Sequence, residues 1–303
     1  MGYKFTIFTP TYNRAKLLKE LYKSLKLQSY KNFEWLIVDD GSTDNTYEIV
    51  REFQLEKIIE IKYIKKENGG KQRAYNLGVE NARGELFICL DSDDTYVENA
   101  LEIILKYWEK YSNDLEIAGM GYLSCYPDGR VIGTEFPKNE MLSNQFEIYY
   151  NYKVSGDKGL MFRTKILKNY KFPEIEDEKF ITEAVVYNRI SKNYKILYIN
   201  EKIEIKEYHQ DGLTNKYAKL LIDNPKGNII YYNERNYFKM SFKDKLLNNA
   251  IYYKFSRISK VKLKEIFNSS NSKFYLCLAL PIGEYMYRKI KKNWIKENKW
   301  KRF

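Results

Sequence analysis

The sequence predicts an α/β protein in which a mostly parallel sheet is flanked by helices and followed by a helical C-terminal region. Short β-rich runs alternate with segments of helical periodicity in the first third of the chain. Each of those runs ends in a polar, glycine-rich or acidic loop, and the last quarter is helical in pattern and basic. Strands are predicted at Lys4 to Thr9, Phe33 to Val38, Ile58 to Ile64 and Glu85 to Leu90. Between them Leu17, Leu18, Leu21 and Leu25 repeat at helical spacing, as do Tyr47, Ile49, Val50 and Phe53, and then Ala74, Leu77, Gly78 and Ala82. Each set reads as a crossover helix. Val97, Leu101, Ile104 and Leu105 predict another, with Asp94 or Thr95 in position to cap it.

From about residue 115 hairpin signals appear, among them Tyr126-Pro127-Asp128-Gly129-Arg130, and mixed segments continue to about 225. Thereafter the pattern is helical. Phe274 to Tyr287 is apolar but broken by Pro281, and Ile282, Tyr285, Met286, Ile290 and Trp294 fall on one face among lysines and arginines. The expected division is a domain over 1–225 and a basic helical region over 226–303.

With 303 residues and 44% hydrophobic content the chain can bury a core, and no apolar run is long enough to cross a bilayer. Its start, MGYKFTIFTPTYNR, lacks the basic, apolar and small-residue pattern of a signal peptide, so a cytoplasmic location is expected. Cys89, Cys125 and Cys277 are widely spaced and odd in number, which indicates neither a disulfide framework nor a zinc site. The net charge of +12 is unevenly spread: residues 231–303 hold 18 Lys and Arg against 5 Asp and Glu, while the rest holds 34 against 35. The tail carries all of the excess.

In open α/β sheets ligands bind at the carboxyl ends of the strands. Here those ends carry Thr9-Pro10-Thr11, Asp39-Asp40-Gly41-Ser42, Glu67-Asn68-Gly69-Gly70 and Asp91-Ser92-Asp93-Asp94. No GxxxxGK[ST] loop is present and no GxGxxG opens a helix after the first strand, which counts against ATPase and dehydrogenase readings. The loops resemble instead those of the family 2 glycosyltransferases of the GT-A fold, through TPTYNR at 9–14, VDDGSTD at 38–44, NGGKQRAYNLG at 68–78 and LDSDD at 90–94. The resemblance covers roughly residues 3–215 and leaves the basic tail outside.

That resemblance implies transfer of a sugar from a nucleotide diphosphate donor to a hydroxyl of a glycan or lipid-linked acceptor, as in surface polysaccharide synthesis. A diphosphate leaving group accumulates negative charge, and Mn²⁺ or Mg²⁺ held by hard carboxylate oxygens neutralises it. By resemblance Asp93 is the principal metal ligand and Asp91 the supporting one, with Asp91 and Ser92 also expected at the nucleotide sugar, and His209 is a candidate third ligand. Thr9, Pro10, Tyr12 and Arg14 in the first loop are expected at the nucleotide sugar, and Lys71 and Arg73 at its charge, Arg73 ahead of Lys71. Family resemblance assigns Asp40 to the nucleotide base. A carboxylate accepts from an imide N–H, present in uracil and thymine and lacking in cytosine, which favours UDP or dTDP. Ser42 and Thr43 read as turn and cap residues.

An inverting transfer needs a base for the acceptor proton. In the family this is an Asp or Glu that begins a helix, and Glu183 in Ile181-Thr182-Glu183-Ala184 matches it, although Thr182 stands where many relatives have another Glu. Glu176, Asp177 and Glu178 read as surface carboxylates. Asp157, in Ser155-Gly156-Asp157-Lys158-Gly159, is a candidate for sugar hydroxyls or an ordinary turn residue. Two other classes stay open: a sugar nucleotidyltransferase, against which the absence of glycine in the first loop counts, and a non-catalytic module that binds nucleotide sugar or glycan. The tail suits peripheral contact with an anionic membrane or with a second subunit, and nucleic acid ranks lower because the acidic loops repel a phosphate backbone.

Overall fold

The computed structural model describes residues 2–207 and 213–300, the side chains of 213–216 and 293–300 excepted. The chain forms two compact units, Met1–Phe172 with Val186–Gln210 and Pro173–Val185 with Asp211–Phe303.

In the first unit β1 (Phe5–Thr11), α1 (Ala15–Lys26), β2 (Phe33–Asp39), α2 (Thr46–Glu56), β3 (Glu60–Lys65), α3 (Lys71–Asn81) and β4 (Leu86–Cys89) alternate as the periodicity predicts. There follow β5 (Asp94–Tyr96), α4 (Ala100–Glu109), β6 (Ile117–Cys125), β7 (Met141–Ser143), α5 (Gln145–Tyr150), β8 (Lys158–Arg163) and α6 (Thr164–Leu167). Helix α7 (Ala184–Ser191) leads into β9 (Lys195–Lys206). One nine-stranded sheet runs β3-β2-β1-β4-β8-β6-β9-β5, with β7 also on β9. The block β3-β2-β1-β4 is parallel, β8 is antiparallel to β4 and β6, and β9 is parallel to β6. Asp94 and Thr95 therefore do not cap a helix. They pair with Lys206 and Ile205 of β9, and α4 starts later, after Asn99.

The central strands are buried on both faces, as expected where helices cover a parallel sheet. On one face Tyr22 of α1 stacks on Phe53 of α2 at 4.1 Å between centroids and on Trp35 of β2 at 5.9 Å. On the other, Phe8 of β1 stacks on Phe87 of β4 at 5.3 Å and meets Tyr75 of α3 edge-on at 5.6 Å. Buried rings in such arrangements stabilise beyond their area alone. This packing fixes the strand ends.

The second unit contains α8 (Leu213–Asp223), α9 (Pro225–Glu234), α10 (Phe242–Ile258), α11 (Leu263–Ser269) and α12 (Lys273–Trp300), with a 3₁₀ turn at Arg235–Tyr237. It takes in more than the expected 226–303, because residues 178–180 are bonded to the start of α9. Asn224 Oδ1 accepts from Lys179 N at 2.9 Å, and Glu178 accepts from Lys226 N at 2.6 Å and Gly227 N at 2.8 Å. Glu178 is thus no surface carboxylate but a buried cap on the open donors of a helix start. Pro281 does not break α12 either. It lies on the exposed side, where the backbone bond it cannot make leaves a carbonyl open to water. Among the described residues no helix is long and apolar enough to cross a membrane.

The capping role of Glu178 predicts that Glu178→Ala costs about 1–2 kcal/mol of stability in urea unfolding, since two helix-start donors lose their acceptor. Unchanged unfolding would remove that role.

Candidate active site

Strand order reverses around β1, which lies between β2 and β4, so the crevice at the carboxyl ends of β1 and β4 is a topological switch point. Three of its loops are stitched by short-range polar bonds. Asp40 N donates to Thr11 O at 2.8 Å and Lys66 N to Asp39 O at 2.9 Å, continuing the strand ladder past the strand ends. Asn13, at φ 53, donates from N to Ser42 Oγ at 2.8 Å and accepts at Oδ1 from Thr43 N at 2.8 Å. Asparagine tolerates this left-handed conformation better than most residues. Asp44, rather than Ser42 or Thr43, serves the helix starts, accepting from Thr46 N at 3.1 Å and Ala15 N at 3.3 Å. Burial works to raise the Asp44 carboxyl, but these bonds and that of the Thr46 hydroxyl hold it below the ordinary carboxylate range.

Asp39 and Asp40 are both buried, and both are occupied by the chain. Asp39 accepts from Ser42 N at 2.7 Å and from the Tyr63 hydroxyl. Asp40 Oδ1 accepts from Lys66 Nζ at 2.6 Å and Gly69 N at 2.9 Å, and Oδ2 from Gly70 N at 2.8 Å and Asn68 Nδ2 at 3.1 Å. A carboxylate offers about four lone-pair sites, so the 66–70 loop fills Asp40. Reading a nucleotide base with Asp40 requires displacing one of these donors. Lys66, on a long flexible stem, is the one able to leave.

The acidic loop after β4 divides its carboxylates differently. Asp91 is bound by Lys71 Nζ at 2.6 Å to Oδ1 and 2.8 Å to Oδ2. Burial works to raise its carboxyl, but the charges of Lys71 and Lys206 hold it below the usual range. Asp94 and Glu204, each nearly inaccessible, share Lys206, whose Nζ lies 2.5 Å from Asp94 and 2.7 Å from Glu204. Burial first, and the Glu204 charge second, push Asp94 well up. Asp93 stands apart. Half-exposed in the turn between β4 and β5, its carboxylate has no hydrogen bond or ion pair among the described residues.

Of the other residues named from sequence, Thr9 is buried and its Oγ1 accepts from Trp35 Nε1 at 3.0 Å, so its side chain serves the core. Thr11, two residues on at the end of β1, has a buried hydroxyl with no partner among the described residues. Pro10 is half-buried and Tyr12 exposed, while the Arg14 guanidinium pairs with nothing among the described residues. Arg73 turns back to Gly69 O at 2.7 Å, while Lys71 is joined to the acidic loop through Asp91. Ser92 is buried beside Asp91. Asp157 is exposed in a loop locked to its neighbour: Gly133 and Gly156, at φ +74 and +79, approach so closely that a Cβ on Gly133 would sit 2.0 Å from Ser155 O and one on Gly156 would sit 2.4 Å from Ile132 O. Lys158 Nζ ties the pair through Ile132 O at 2.7 Å and Ser155 O at 2.8 Å. Glu183 lies directly ahead of α7, within the second unit. His209 lies outside the described residues.

The residues present fit a divalent cation: an unpaired carboxylate, Asp93, two positions from the half-exposed Asp91, both hard oxygen donors at the end of a strand. No cluster of three or more protein ligands occurs among the described residues, so phosphate oxygens and water would complete the shell. No local pattern signals Lys206 or Glu204, and only the conformational demand on Asn13 was open to reading.

The sheet order and the loops at its switch point define a nucleotide-binding GT-A fold. It is shared with Staphylococcus aureus TarS 1–349 in complex with UDP-GlcNAc, at TM-score 0.63 and 20% identity over 97% of this chain and 92% of that one. It is shared also with the Pyrobaculum calidifontis mannosyltransferase PcManGT in complex with GDP-Man and Mn²⁺, at TM-score 0.56 and 16% identity over 93% and 87%. Residues 6–171, more than half of the chain, match the model of glycosyl transferase family 2, and the chain belongs to that family. A Campylobacter jejuni relative, GalNAc(5)-diNAcBac-PP-undecaprenol beta-1,3-glucosyltransferase, is 29% identical over 221 residues, 70% of this chain and 67% of that protein. An uncharacterized Rickettsia conorii glycosyltransferase is 43% identical over 107 residues, which are 35% of this chain and 17% of that protein. The chain thus spans about a fifth of the length of the first rickettsial relatives it matches. Family membership leaves the nucleotidyltransferase alternative without support.

The sharing of Lys206 predicts that Lys206→Met costs about 3–5 kcal/mol in urea unfolding, because two buried carboxylates lose their cation. Adding Asp94→Asn should recover part of that loss. A cost below about 1 kcal/mol would show that the triad is not a structural brace.

Proposed function

We propose that this chain is an inverting, metal-dependent glycosyltransferase that moves a sugar from a UDP-linked donor to a hydroxyl of a glycan or lipid-linked acceptor, on the cytoplasmic side of the membrane. The observation that carries this reading is the unpaired Asp93 carboxylate beside Asp91 at the carboxyl end of β4, next to the switch point. The UDP-GlcNAc bound by TarS, the Mn²⁺ of PcManGT and the undecaprenol-linked substrate named for the Campylobacter relative support the donor, the metal and the acceptor class.

A divalent cation held by Asp93 and Asp91 would neutralise charge on the departing diphosphate. Lys71, now on Asp91, holds a second positive charge at the same loop. Arg14, whose guanidinium has no partner among the described residues, offers a donor just past the end of β1. Asp40 keeps the 66–70 loop in place and reads uracil when Lys66 yields its position. Glu183 takes the acceptor proton as the acceptor oxygen bonds to the anomeric carbon, and the electron pair of the breaking bond leaves with the diphosphate. Asp157 is assigned to sugar hydroxyls.

In thermal unfolding, UDP with Mn²⁺ should stabilise the wild type, by about 3 kcal/mol at a hundredfold excess over Kd, and GDP and CDP should not. The response should disappear in Asp93→Ala. Stabilisation that survives in the variant, or that no nucleotide produces, would remove the metal assignment and favour a binding module. Glu183→Gln should lower kcat by about 10²- to 10⁴-fold while UDP stabilisation persists. A smaller loss would return the role of base to another residue.

A further inference from the structure

The first half of helix α12 is apolar on both its inward and its outward side. Its inward positions Leu276, Ala279 and Gly283 are buried, Leu276 within a cluster that includes Tyr252 and Tyr253 of α10. Its outward positions are apolar too: Phe274 is 66% exposed, Leu278 46%, Ile282 37% and Tyr285 67%. Their spacing of four, four and three residues lines them up over three turns, roughly 16 Å of helix. At its start the stripe widens, because exposed Phe242 of α10 packs on Tyr275 at 5.5 Å, and Tyr275 meets Phe274 at 5.3 Å. Between residues 274 and 287 the one charged side chain is Glu284, and it is engaged by the Tyr253 hydroxyl and Arg288 Nε. An exposed apolar stripe of this length, on a helix whose other side already supplies the core, marks a contact surface.

Charge selects the occupant. The next turn exposes Arg288, Lys289, Lys291 and Lys292, and residues 273–303 hold nine Lys and Arg against two Asp and Glu. A second copy would bring the same positive charge to the same face. A nucleic acid would satisfy the lysines and could stack on Phe274 or Tyr285, but it would leave Leu278 and Ile282, in the middle of the stripe, without an apolar partner. An anionic lipid surface satisfies both, since its headgroups meet the basic turn and its acyl boundary receives the stripe. The helix is not apolar enough to span the bilayer, which leaves it lying in the interface plane.

We propose that the outward face of α12 docks on an anionic bilayer surface, with Phe274, Leu278, Ile282 and Tyr285 as the inserted stripe and residues 288–292 at the headgroups. It deepens the proposed transfer to a lipid-linked acceptor and rests on that reading for its purpose, since the acceptor would then lie in the surface to which the enzyme holds.

Sedimentation with vesicles of phosphatidylcholine, alone or mixed with phosphatidylglycerol, tests it on the full chain. The wild type should bind mixed vesicles at least about tenfold more tightly than neutral ones, and the preference should shrink with salt. Phe274→Ser with Ile282→Ser should weaken binding about tenfold or more at an unchanged melting temperature. Arg288→Glu with Lys289→Glu should abolish the anionic preference, since each basic residue near the surface contributes about fivefold. If the serine pair disturbs folding, Tyr285→Ser alone should still weaken binding. UDP stabilisation read on the same samples reports the donor site separately, so loss of either property identifies which idea has failed. Wild type that stays in solution, variants that bind as wild type does, or a wild-type dimer that the serine pair converts to monomer would each overturn the proposal.

Discussion

Charge compensation at the carboxyl edge of the parallel strands is the constraint on which the rest of the site depends. Asp40, Asp91, Asp94 and Glu204 all project from that edge or from strands beside it, and carboxylates gathered in partly dry surroundings cannot all stay ionised unaided. Three ammonium groups answer four carboxylates: Lys66 on Asp40, Lys71 on Asp91, and Lys206 shared by Asp94 and Glu204. Asp39 is satisfied by a backbone amide and a phenol instead. Asp93 is the acid left over, and it is half-exposed. A site organised this way presents an uncompensated carboxylate to whatever enters the crevice.

The sheet makes that arrangement possible by bringing distant segments together. Parallel β1, β2 and β4 deliver three loops to one edge, and the second half of the sheet returns β9 antiparallel to β5, so that Lys206 reaches Asp94 from 112 residues away in sequence. The aromatic layers on either face, Tyr22 with Phe53 and Trp35 on one and Phe8 with Phe87 and Tyr75 on the other, hold those strands in register. Loops can then be polar and nearly coreless because their positions are set from below.

Much of this was legible in the sequence, and the boundary of legibility has a physical cause. Periodicity found the strands and crossover helices to within two or three residues, because burial on both faces of a parallel sheet forces near-continuous apolar runs. The polar loops after those runs pointed to the carboxyl ends of the strands as the candidate site. What residues do once there depends on partners that no local pattern encodes. Asp40 is filled by donors of its own 66–70 loop, Glu178 looked like a surface acid and is a buried helix cap, and Asp94, one of two candidate caps, is a strand residue held by Lys206. Pro281 was read as a break, yet α12 continues through it, since one lost backbone bond on an exposed side is minor beside the packing opposite.

The locked pair Gly133 and Gly156 has a consequence for descent. Each occupies a left-handed conformation and each faces the backbone beside the other, so a side chain gained at either position is blocked whatever stands at its counterpart. No stepwise path of single replacements leads away from this arrangement. Thr134 belongs to the lock as well, since its hydroxyl accepts from Ser155 N at 3.0 Å, so inherited variation in that corner is channelled into exposed side chains such as that of Ser155 while the two glycines persist.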